Sequence, residues 1–218
     1  MERLEKEFRQ HTKALQEVSG ELTQARQAAA RRFEASMEEQ LHDLGMKNAR
    51  LSMDFAPMEA GERISDRFSA QGVDRIEMMF CANLGQTMKP LARVASGGEL
   101  SRIMLALKNL SAQKPGIPRS MVFDEIDTGV SGGTSEKIGL KLKELSSAVQ
   151  VICVTHSPQI AARADTHYLI EKSEVDGRTE SAVRILDGEG RVAEIARIIG
   201  GISVTETQRD AAKDLLNH

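Results

Sequence analysis

The amino-acid sequence predicts an α/β fold with an N-terminal coiled-coil arm. A proline-free stretch with apolar residues at heptad spacing fills residues 1–45, and short apolar strands then alternate with amphipathic helices. Polar side chains able to do chemistry follow two of these strands, as they do at the carboxyl ends of a parallel sheet. We therefore expect an arm over residues 1–48 and a lobe with a partly parallel sheet over residues 49–218.

The composition is that of a globular protein and excludes several other classes. The 218 residues include 29 Lys and Arg against 32 Asp and Glu, a net charge of −3, and 40% are hydrophobic. This near-neutral balance does not fit a strongly cationic nucleic-acid module. Cys81 and Cys153 lie in separate apolar runs, which favours a reducing compartment over a disulfide scaffold. The N-terminus lacks a secretory signal and no run is long enough to span a membrane, so we expect a cytoplasmic protein.

The first predicted element is a long helix whose apolar residues form a coiled-coil seam. The seam begins with Leu4, Phe8, Leu15, Val18 and Leu22. From Ala29 it continues in three steps of four, through Phe33 and Met37 to Leu41, which shift the phase as a stutter would, and Leu44 follows. A helix of about 65 Å needs a partner helix to cover such a seam. A helix lying on its own domain is the alternative.

The elements of the lobe follow from alternation, helical spacing and turn residues. Residues 49–55 and 73–82 alternate as strands do, with Pro57 and Gly61 between them, and residues 85–90 form a loop. A helix starts near residue 96 and is broken at residues 114–118. Buried strands are predicted at residues 120–123 and 149–154, with a helix between them that ends near residue 145. Ser157 and Pro158 suit the start of a short helix.

The C-terminal part of the chain adds two strands and two helices. The strands are predicted at residues 168–171 and 181–186, and the helices at residues 192–199 and 205–216. Thr205 and Gln208 have the spacing of a capping box at the start of the last helix. Strands that alternate with helices in this way indicate an α/β domain.

The segment Ser96-Gly97-Gly98-Glu99 opens the first helix of the lobe. Ser at the N-cap and Glu three residues later form a capping box, which needs no function. Capping does not require two consecutive glycines, however, and such a pair lets a phosphate approach the backbone N–H groups at a helix N-terminus. Capping and phosphate binding both remain open for this segment.

Asp124 and Glu125 end one buried strand, and His156 ends the next. Two adjacent carboxylates there are costly unless they hold a metal ion or act on a proton. Mg²⁺ shared with nucleotide phosphates suits Asp124, and activation of an attacking water suits Glu125. His156 would then contact the γ-phosphate from the neighbouring strand end. Pairing of both acids with Arg or Lys is the structural alternative.

Residues 129–133 also fit the nucleophile-elbow pattern G-x-S-x-G around Ser131, and Asp165 and His167 follow in triad order. An elbow serine should follow its strand directly, whereas residues 124–128 intervene here. An acid two positions from the histidine also leaves little room for a triad, so we do not expect a hydrolase. Three lysines of the following helix fit a solvated face better than a nucleic-acid surface: Lys137, Lys141 and Lys143.

Four segments together resemble the bacterial RecN family of SMC-like, ABC-type ATPases, which act in double-strand-break repair. They are residues 94–107 (VASGGELSRIMLAL), 123–132 (FDEIDTGVSG), 154–161 (VTHSPQIA) and 194–201 (EIARIIGG). The resemblance is detailed from residue 74 onward, whereas residues 1–45 match only in type, as the returning arm of an antiparallel coiled coil. It implies that the lobe is the C-terminal lobe of an ABC-type ATPase head, with a P-loop NTPase-like sheet flanked by helices.

The resemblance also implies a role for each motif. The signature motif, which would close on the γ-phosphate of ATP held by a second head, comprises Ser96, Gly97, Gly98 and Glu99. In the Walker B motif, Asp124 would support Mg²⁺ and Glu125 would activate water. Asp127 of the D-loop would bridge the heads, and the switch residue His156 would sense the γ-phosphate.

The phosphate-binding pattern G-x-x-x-x-G-K-[ST] does not occur in the 218 residues. In the family it lies near the N-terminus, so we expect a C-terminal half, from a fragment or a split gene, that hydrolyses little ATP alone. The expected partners are the N-terminal half, a second head in a homodimer, and DNA in the bacterial nucleoid. A non-catalytic docking module and an ATPase lobe of another SMC or ABC family stay open as alternatives.

Overall fold

The computed structural model describes residues 1–57, 68–94, 96–111, 120–175, 178–201 and 203–217. The predicted turn at Gly61 and the predicted helix break at residues 114–118 lie outside them. The chain divides into two compact units, which are residues 1–42 with 46–94 and residues 43–45 with 95–218. Within the described ranges, none of the helices combines the length and the apolar character needed to cross a membrane.

Unit 1 consists of a long helix and a small antiparallel sheet. Helix α1 (Glu2–Asp43) is continuous over 42 residues, as the heptad pattern predicts. Strands β1 (Arg50–Pro57) and β2 (Asp74–Cys81) pair antiparallel, close to their predicted bounds. The end of the predicted loop over residues 85–90 instead adds a two-residue strand, β3 (Lys89–Pro90), which pairs with β2.

The two halves of α1 have different surroundings. Its C-terminal half packs in unit 1, where Met37 and Leu41 are fully buried and Glu34 accepts a 2.6 Å hydrogen bond from the backbone N–H of Met53. The N-terminal part of the seam is exposed, at Leu4, Phe8, Leu15, Val18 and Leu22. The seam is therefore buried toward the C-terminal end of α1 and exposed to solvent toward its N-terminal end.

Unit 2 begins with helix α2 (Gly97–Ser111) and a β-α-β arrangement. Strands β4 (Ser120–Phe123) and β5 (Gln150–Cys153) pair in parallel, and helix α3 (Gly132–Ser146) connects them. The short helix α4 (Pro158–Ala162) follows β5, with Ser157 at its N-cap as predicted. The parallel pairing brings the carboxyl ends of β4 and β5 to one edge.

The remaining elements of unit 2 are a hairpin and two helices. Strands β6 (Tyr168–Val175) and β7 (Arg178–Ile185) pair antiparallel and are longer than predicted. Helices α5 (Gly188–Gly200) and α6 (Glu206–Asn217) follow. The predicted capping box is complete, because Thr205 N donates to Gln208 Oε1 at 2.8 Å and Gln208 N donates to Thr205 Oγ1 at 3.4 Å. These helices enclose a small core of Ala162, Ile195, Ala196 and Ala212.

Candidate functional site

The carboxyl ends of β4 and β5 carry the residues that the sequence selects for chemistry. Phe123 and Cys153 are register partners, and Val154 N donates to Phe123 O at 2.9 Å, so the strands stay joined up to their ends. Asp124 and Glu125 follow β4 directly, and His156 lies just beyond β5. The parallel sheet thus brings these three residues to a common edge, as expected from the rule for such sheets.

Asp124 and Glu125 are both exposed at this edge. Glu125 has a φ of 57°, a left-handed conformation that a non-glycine residue rarely adopts, and its N–H donates to Asp124 Oδ1 at 2.9 Å. Such a conformation costs about 1–3 kcal/mol and is concentrated at functional sites. No ion pair with Lys or Arg involves either carboxylate in the part of the chain that the structure describes. The structural alternative of charge pairing therefore finds no support there.

The glycine pair of the Ser96–Glu99 segment brings α2 close to the loop after β4. A Cβ on Gly97 would lie 2.5 Å from Glu125 Oε2, and one on Gly98 would lie 3.1 Å from Glu125 O and 3.2 Å from Thr128 O. Ser96 Oγ accepts a 3.4 Å hydrogen bond from Glu99 N, which is one half of the predicted capping box. The N-terminus of α2 and the Glu125 carboxylate are consequently neighbours within one chain.

Two residues of α2, Arg102 and Ser101, donate hydrogen bonds to backbone carbonyl groups of this loop, and sequence reasoning missed both. Arg102 is buried and donates from Nη1 to Ile126 O at 3.3 Å and Thr128 O at 3.1 Å. Burial lowers the pKa of the Arg102 guanidinium, and the negative charge of Glu99 partly offsets this decrease. Ser101 Oγ donates to Asp124 O at 2.8 Å. The position of Arg102 in the same helical register as buried Gly98 and Ala106 is the signal that could have found it.

Asp127 links the loop after β4 to the loop after β5. Its Oδ2 accepts hydrogen bonds from Thr155 Oγ1, from His156 N at 3.0 Å and from Ser157 N at 3.1 Å. The same oxygen lies 3.3 Å from His156 Nδ1, and the Asp127 side chain is 2% exposed against 81% for His156. Asp127 Oδ1 is buried without a hydrogen-bond partner among the described atoms. The aspartate is thus an internal anchor of the edge.

The half-buried thiol of Cys153 lies close to the same carboxylates. Burial, together with the negative charges of Asp127 and Asp124, raises the pKa of Cys153 to about 12. The thiol is therefore protonated at neutral pH, which leaves it without the thiolate needed for nucleophilic or metal-binding chemistry. Both cysteines are free, as the sequence predicts.

A magnesium ion that arrives with nucleotide phosphates fits the donor set at this edge. The described residues contain no group of three or more His, Cys, Asp or Glu side chains able to hold a metal by themselves. Mg²⁺ in nucleotide sites needs only one or two carboxylates, with phosphates and water completing its shell. Asp124, exposed and with one oxygen engaged by Glu125 N, provides such a carboxylate.

Two of the three residues of the nucleophile-elbow alternative have other described partners. Ser131 Oγ lies 3.4 Å from Thr134 Oγ1, and Asp165 forms an ion pair with Lys143 that lowers the pKa of this carboxyl. Nδ1 of His167 is buried and has no partner in the described ranges, and burial lowers the pKa of its imidazole. The three candidate triad residues therefore have separate environments.

The lysines of α3 are engaged with acids and do not form a free basic face. Lys137 and Lys141 lie 3.9 and 3.6 Å from the carboxylate oxygens of Asp43, and Lys143 pairs with Asp165. Such exposed pairs contribute little to stability. Because Lys137 and Lys141 share one aspartate, these pairs offset only part of the positive charge of the three lysines.

Comparisons with known proteins point in one direction. The chain is 43% identical to "DNA repair protein RecN" of Halalkalibacterium halodurans, covering 93% of the chain, and 36% identical to the protein of that name from Bacillus subtilis, covering 99%. It spans 35% and 39% of the lengths of these two relatives. No protein-family profile matches the sequence.

The fold has a counterpart among solved structures. An Smc head domain with a coiled coil and joint from Pyrococcus yayanosii superimposes with a TM-score of 0.53 at 23% identity. The match covers 89% of this chain and 34% of that one. At this level of identity the likeness concerns the fold alone, which resembles that of an Smc head domain with a coiled coil.

Proposed function

The chain belongs to the family of RecN DNA repair proteins, and we propose that it is part of an ATPase head that acts in repair of DNA double-strand breaks. It would supply the signature, Walker B, D-loop and switch-histidine residues of that head. Because the chain spans only 35% of this relative, ATP turnover requires the remaining part of the protein, which carries the phosphate-binding loop.

The observation that carries the proposal is the convergence of the motifs at one edge of unit 2. The parallel β4–β5 pair carries Asp124 and Glu125 after one strand and His156 after the next. Asp127 joins the loop of Glu125 to the loop of His156 through the backbone N–H groups of residues 156 and 157. This arrangement supports a common role for the two strand-end motifs at one bound nucleotide.

Each residue of this surface would act on a different part of the nucleotide. Mg²⁺, when bound, would neutralise phosphate charge, and Asp124 would be its ligand from this chain. Glu125 would accept hydrogen bonds from the attacking water and orient it toward the γ-phosphate. His156 would contact the γ-phosphate. Ser96 and the backbone N–H groups at the start of α2 would contact the nucleotide of a second head, because a helix N-terminus favours anions.

Exposed apolar surface supports the need for the missing part of the protein. Val122, Ile152 and Val154 lie on one face of the β4–β5 pair and are 68%, 49% and 48% exposed. Met121 and Phe123 on the opposite face are buried, so the sheet is covered on one side only. A parallel sheet is ordinarily covered on both faces. We infer that the N-terminal half of the full-length protein covers this face and extends the sheet.

The remaining partners follow from the same proposal. Residues 1–48 would form the descending arm of a coiled coil, and the exposed seam from Leu4 to Leu22 supports a partner helix there. Two heads would form a homodimer around two ATP molecules, and hydrolysis would change how the arms hold DNA. The protein would act in the cytoplasm, at the nucleoid. Contact with DNA rests on the relationship to RecN, since the net charge is only −3.

The test is Mg-ATP turnover of this chain alone and mixed with the separately expressed upstream half of the full-length protein. We expect turnover only in the mixture. In the mixture, Glu125→Gln should lower kcat about 10²–10⁴-fold, because the residue that orients the water loses its charge. The same variant should accumulate as an ATP-bound dimer in size-exclusion chromatography.

A matched control is Glu144→Gln, the same chemical change at an exposed position on α3. It should turn over ATP like the wild type. Unchanged turnover in Glu125→Gln would refute the assigned role. Absence of turnover in the mixture, with both parts folded, would favour a docking module that does not hydrolyse ATP.

A further inference from the structure

A buried aspartate, Asp127, lies next to an exposed histidine of the candidate site, His156. The side chain of Asp127 is 2% exposed, whereas that of His156 is 81% exposed. Burying a carboxylate is costly unless hydrogen bonds replace its water. The hydrogen-bond partners of Asp127 therefore indicate its role.

All of its described hydrogen bonds come from one short loop, residues 155–157. Thr155 donates its hydroxyl, and His156 and Ser157 donate their backbone N–H groups, to the same oxygen, Oδ2. These donors fix the path of the backbone between β5 and α4. The loop cannot shift without leaving Asp127 buried and unpaired, since its Oδ1 already has no described partner.

The imidazole of His156 also lies near this oxygen, with Nδ1 at 3.3 Å from Oδ2, within reach of a hydrogen bond. In a neutral imidazole only one nitrogen carries a proton, and the group that faces one nitrogen selects which one it is. A carboxylate beside Nδ1 favours the proton on Nδ1, as in other pairs where an aspartate orients a histidine. Nε2 is then the nitrogen that faces outward, as an acceptor in the neutral ring and as a donor in the imidazolium.

We propose that Asp127 is the positioning residue of His156, which holds its loop and fixes the proton on Nδ1 so that Nε2 faces the ligand. The inference rests on the proposed function only for the identity of that ligand, a phosphate. The orientation of the ring belongs to the chain itself. Asp127 would act through His156 and would not touch the nucleotide.

The test is a long-range ¹H–¹⁵N spectrum of the chain with labelled histidines, recorded at a pH where the imidazoles are neutral. His156→Gln identifies the His156 signals. In the wild type we expect the Nδ1–H tautomer at His156. Asp127→Asn, which keeps the size of the side chain and removes its charge, should convert His156 to the Nε2–H form or to an average of the two.

Asp165→Asn is the matched control, because it makes the same change at an exposed carboxylate that pairs with Lys143. It should leave the His156 signals unchanged. An Nε2–H tautomer in the wild type would overturn the inference, and so would an equal response to both substitutions. If Asp127→Asn does not fold, as judged by circular dichroism, the wild-type tautomer still decides.

Turnover in the reassembled head provides a second readout. Asp127→Asn should lower kcat at least 10-fold while KM for ATP changes less than 3-fold, because a misoriented histidine weakens the transition state more than substrate binding. An unchanged kcat, with the tautomer altered, would overturn the positioning role. The wild-type head could fail to hydrolyse ATP while His156 is the Nδ1–H tautomer. That result would contradict the proposed function but would leave the inferred orientation of the His156 ring intact.

Discussion

Gly97 shows at the scale of one residue how the candidate site is constrained. A Cβ does not fit at this position at the start of α2, because it would lie only 2.5 Å from Oε2 of Glu125. Gly98 is confined by backbone and Thr128 atoms at 3.1 to 3.2 Å. The glycines therefore permit the close approach of a helix N-terminus to an acid, which favours a negative charge there.

Gly97→Ala should disturb Glu125 and leave the fold nearly intact, since the atom in the way is the end of a flexible side chain. We expect kcat of the reassembled head to fall about 10-fold or more, because a small displacement of a catalytic group is enough for such a loss. The unfolding free energy should change by less than about 1 kcal/mol. Turnover and chemical denaturation measure the two quantities.

Gly133→Ala is the control, because a Cβ there would meet nothing within 4 Å. It should preserve turnover and stabilise α3 slightly. Equal turnover in Gly97→Ala and the wild type would mean that the carboxylate position of Glu125 is not critical.

At the scale of an element, α1 is one helix with two environments. Toward its C-terminal end, Glu34 accepts a hydrogen bond from β1 and Leu41 is fully buried. Toward its N-terminus, Phe8 and Val18 are 57% and 62% exposed although they occupy the same heptad seam. A long helix with such a seam associates with another helix, which buries the exposed apolar surface.

Substitutions in the two parts of α1 should therefore have different effects. Leu41→Ala should lower the unfolding free energy of this chain by about 2–5 kcal/mol, because it leaves a cavity in a packed core. Val18→Glu should change that free energy by less than about 0.5 kcal/mol, since the side chain is exposed. It should weaken association with the upstream half, measured by calorimetric titration.

Val18→Ala is the control, because it removes apolar surface from the seam but keeps the helix and adds no charge. It should weaken association less than Val18→Glu does. A large loss of stability in Val18→Glu would show that the seam is already covered within this chain. Unchanged association would mean that the partner helix lies elsewhere.

At the scale of the whole molecule, the β4–β5 pair is an incomplete sheet. It has two strands among the described elements, and a two-stranded sheet is marginally stable without further strands or packing. Val122 and Ile152 are register partners on its exposed face. Their exposure is a property of this chain, and burial by another part of the protein would remove it.

The double substitution Val122→Thr and Ile152→Thr should preserve this chain and weaken its assembly. Threonine keeps the β-branched shape that strands favour, so the unfolding free energy should change by less than about 1 kcal/mol. Loss of buried apolar surface should weaken the complex with the upstream half at least 10-fold, as measured by calorimetry.

Leu84→Thr, at a 73% exposed position after β2, is the comparison for an exposed apolar residue outside this face. It should bind the upstream half like the wild type. Equal affinity of the double variant and the wild type would place the interface on another surface.

Several secondary-structure elements could be predicted from the amino-acid sequence alone. The bounds of β4 agree with the prediction, the Thr205–Gln208 capping box is present, and α1 has the length that its apolar spacing indicates. These features depend on neighbours within a few residues, for which spacing and side-chain type are sufficient evidence. The parallel order of β4 and β5 also followed, because a helix connects them.

The contacts between side chains of the candidate site are visible only in the folded structure. Residue spacing does not indicate that Asp127 anchors the His156 loop or that Gly97 lies against Glu125. The helical register of Arg102 indicates that it is buried, but not that it binds two carbonyl groups of the loop after β4. It also does not separate the buried end of the α1 seam from the exposed end. These contacts join residues far apart in the chain, and chain folding, rather than local spacing, sets the distances between them.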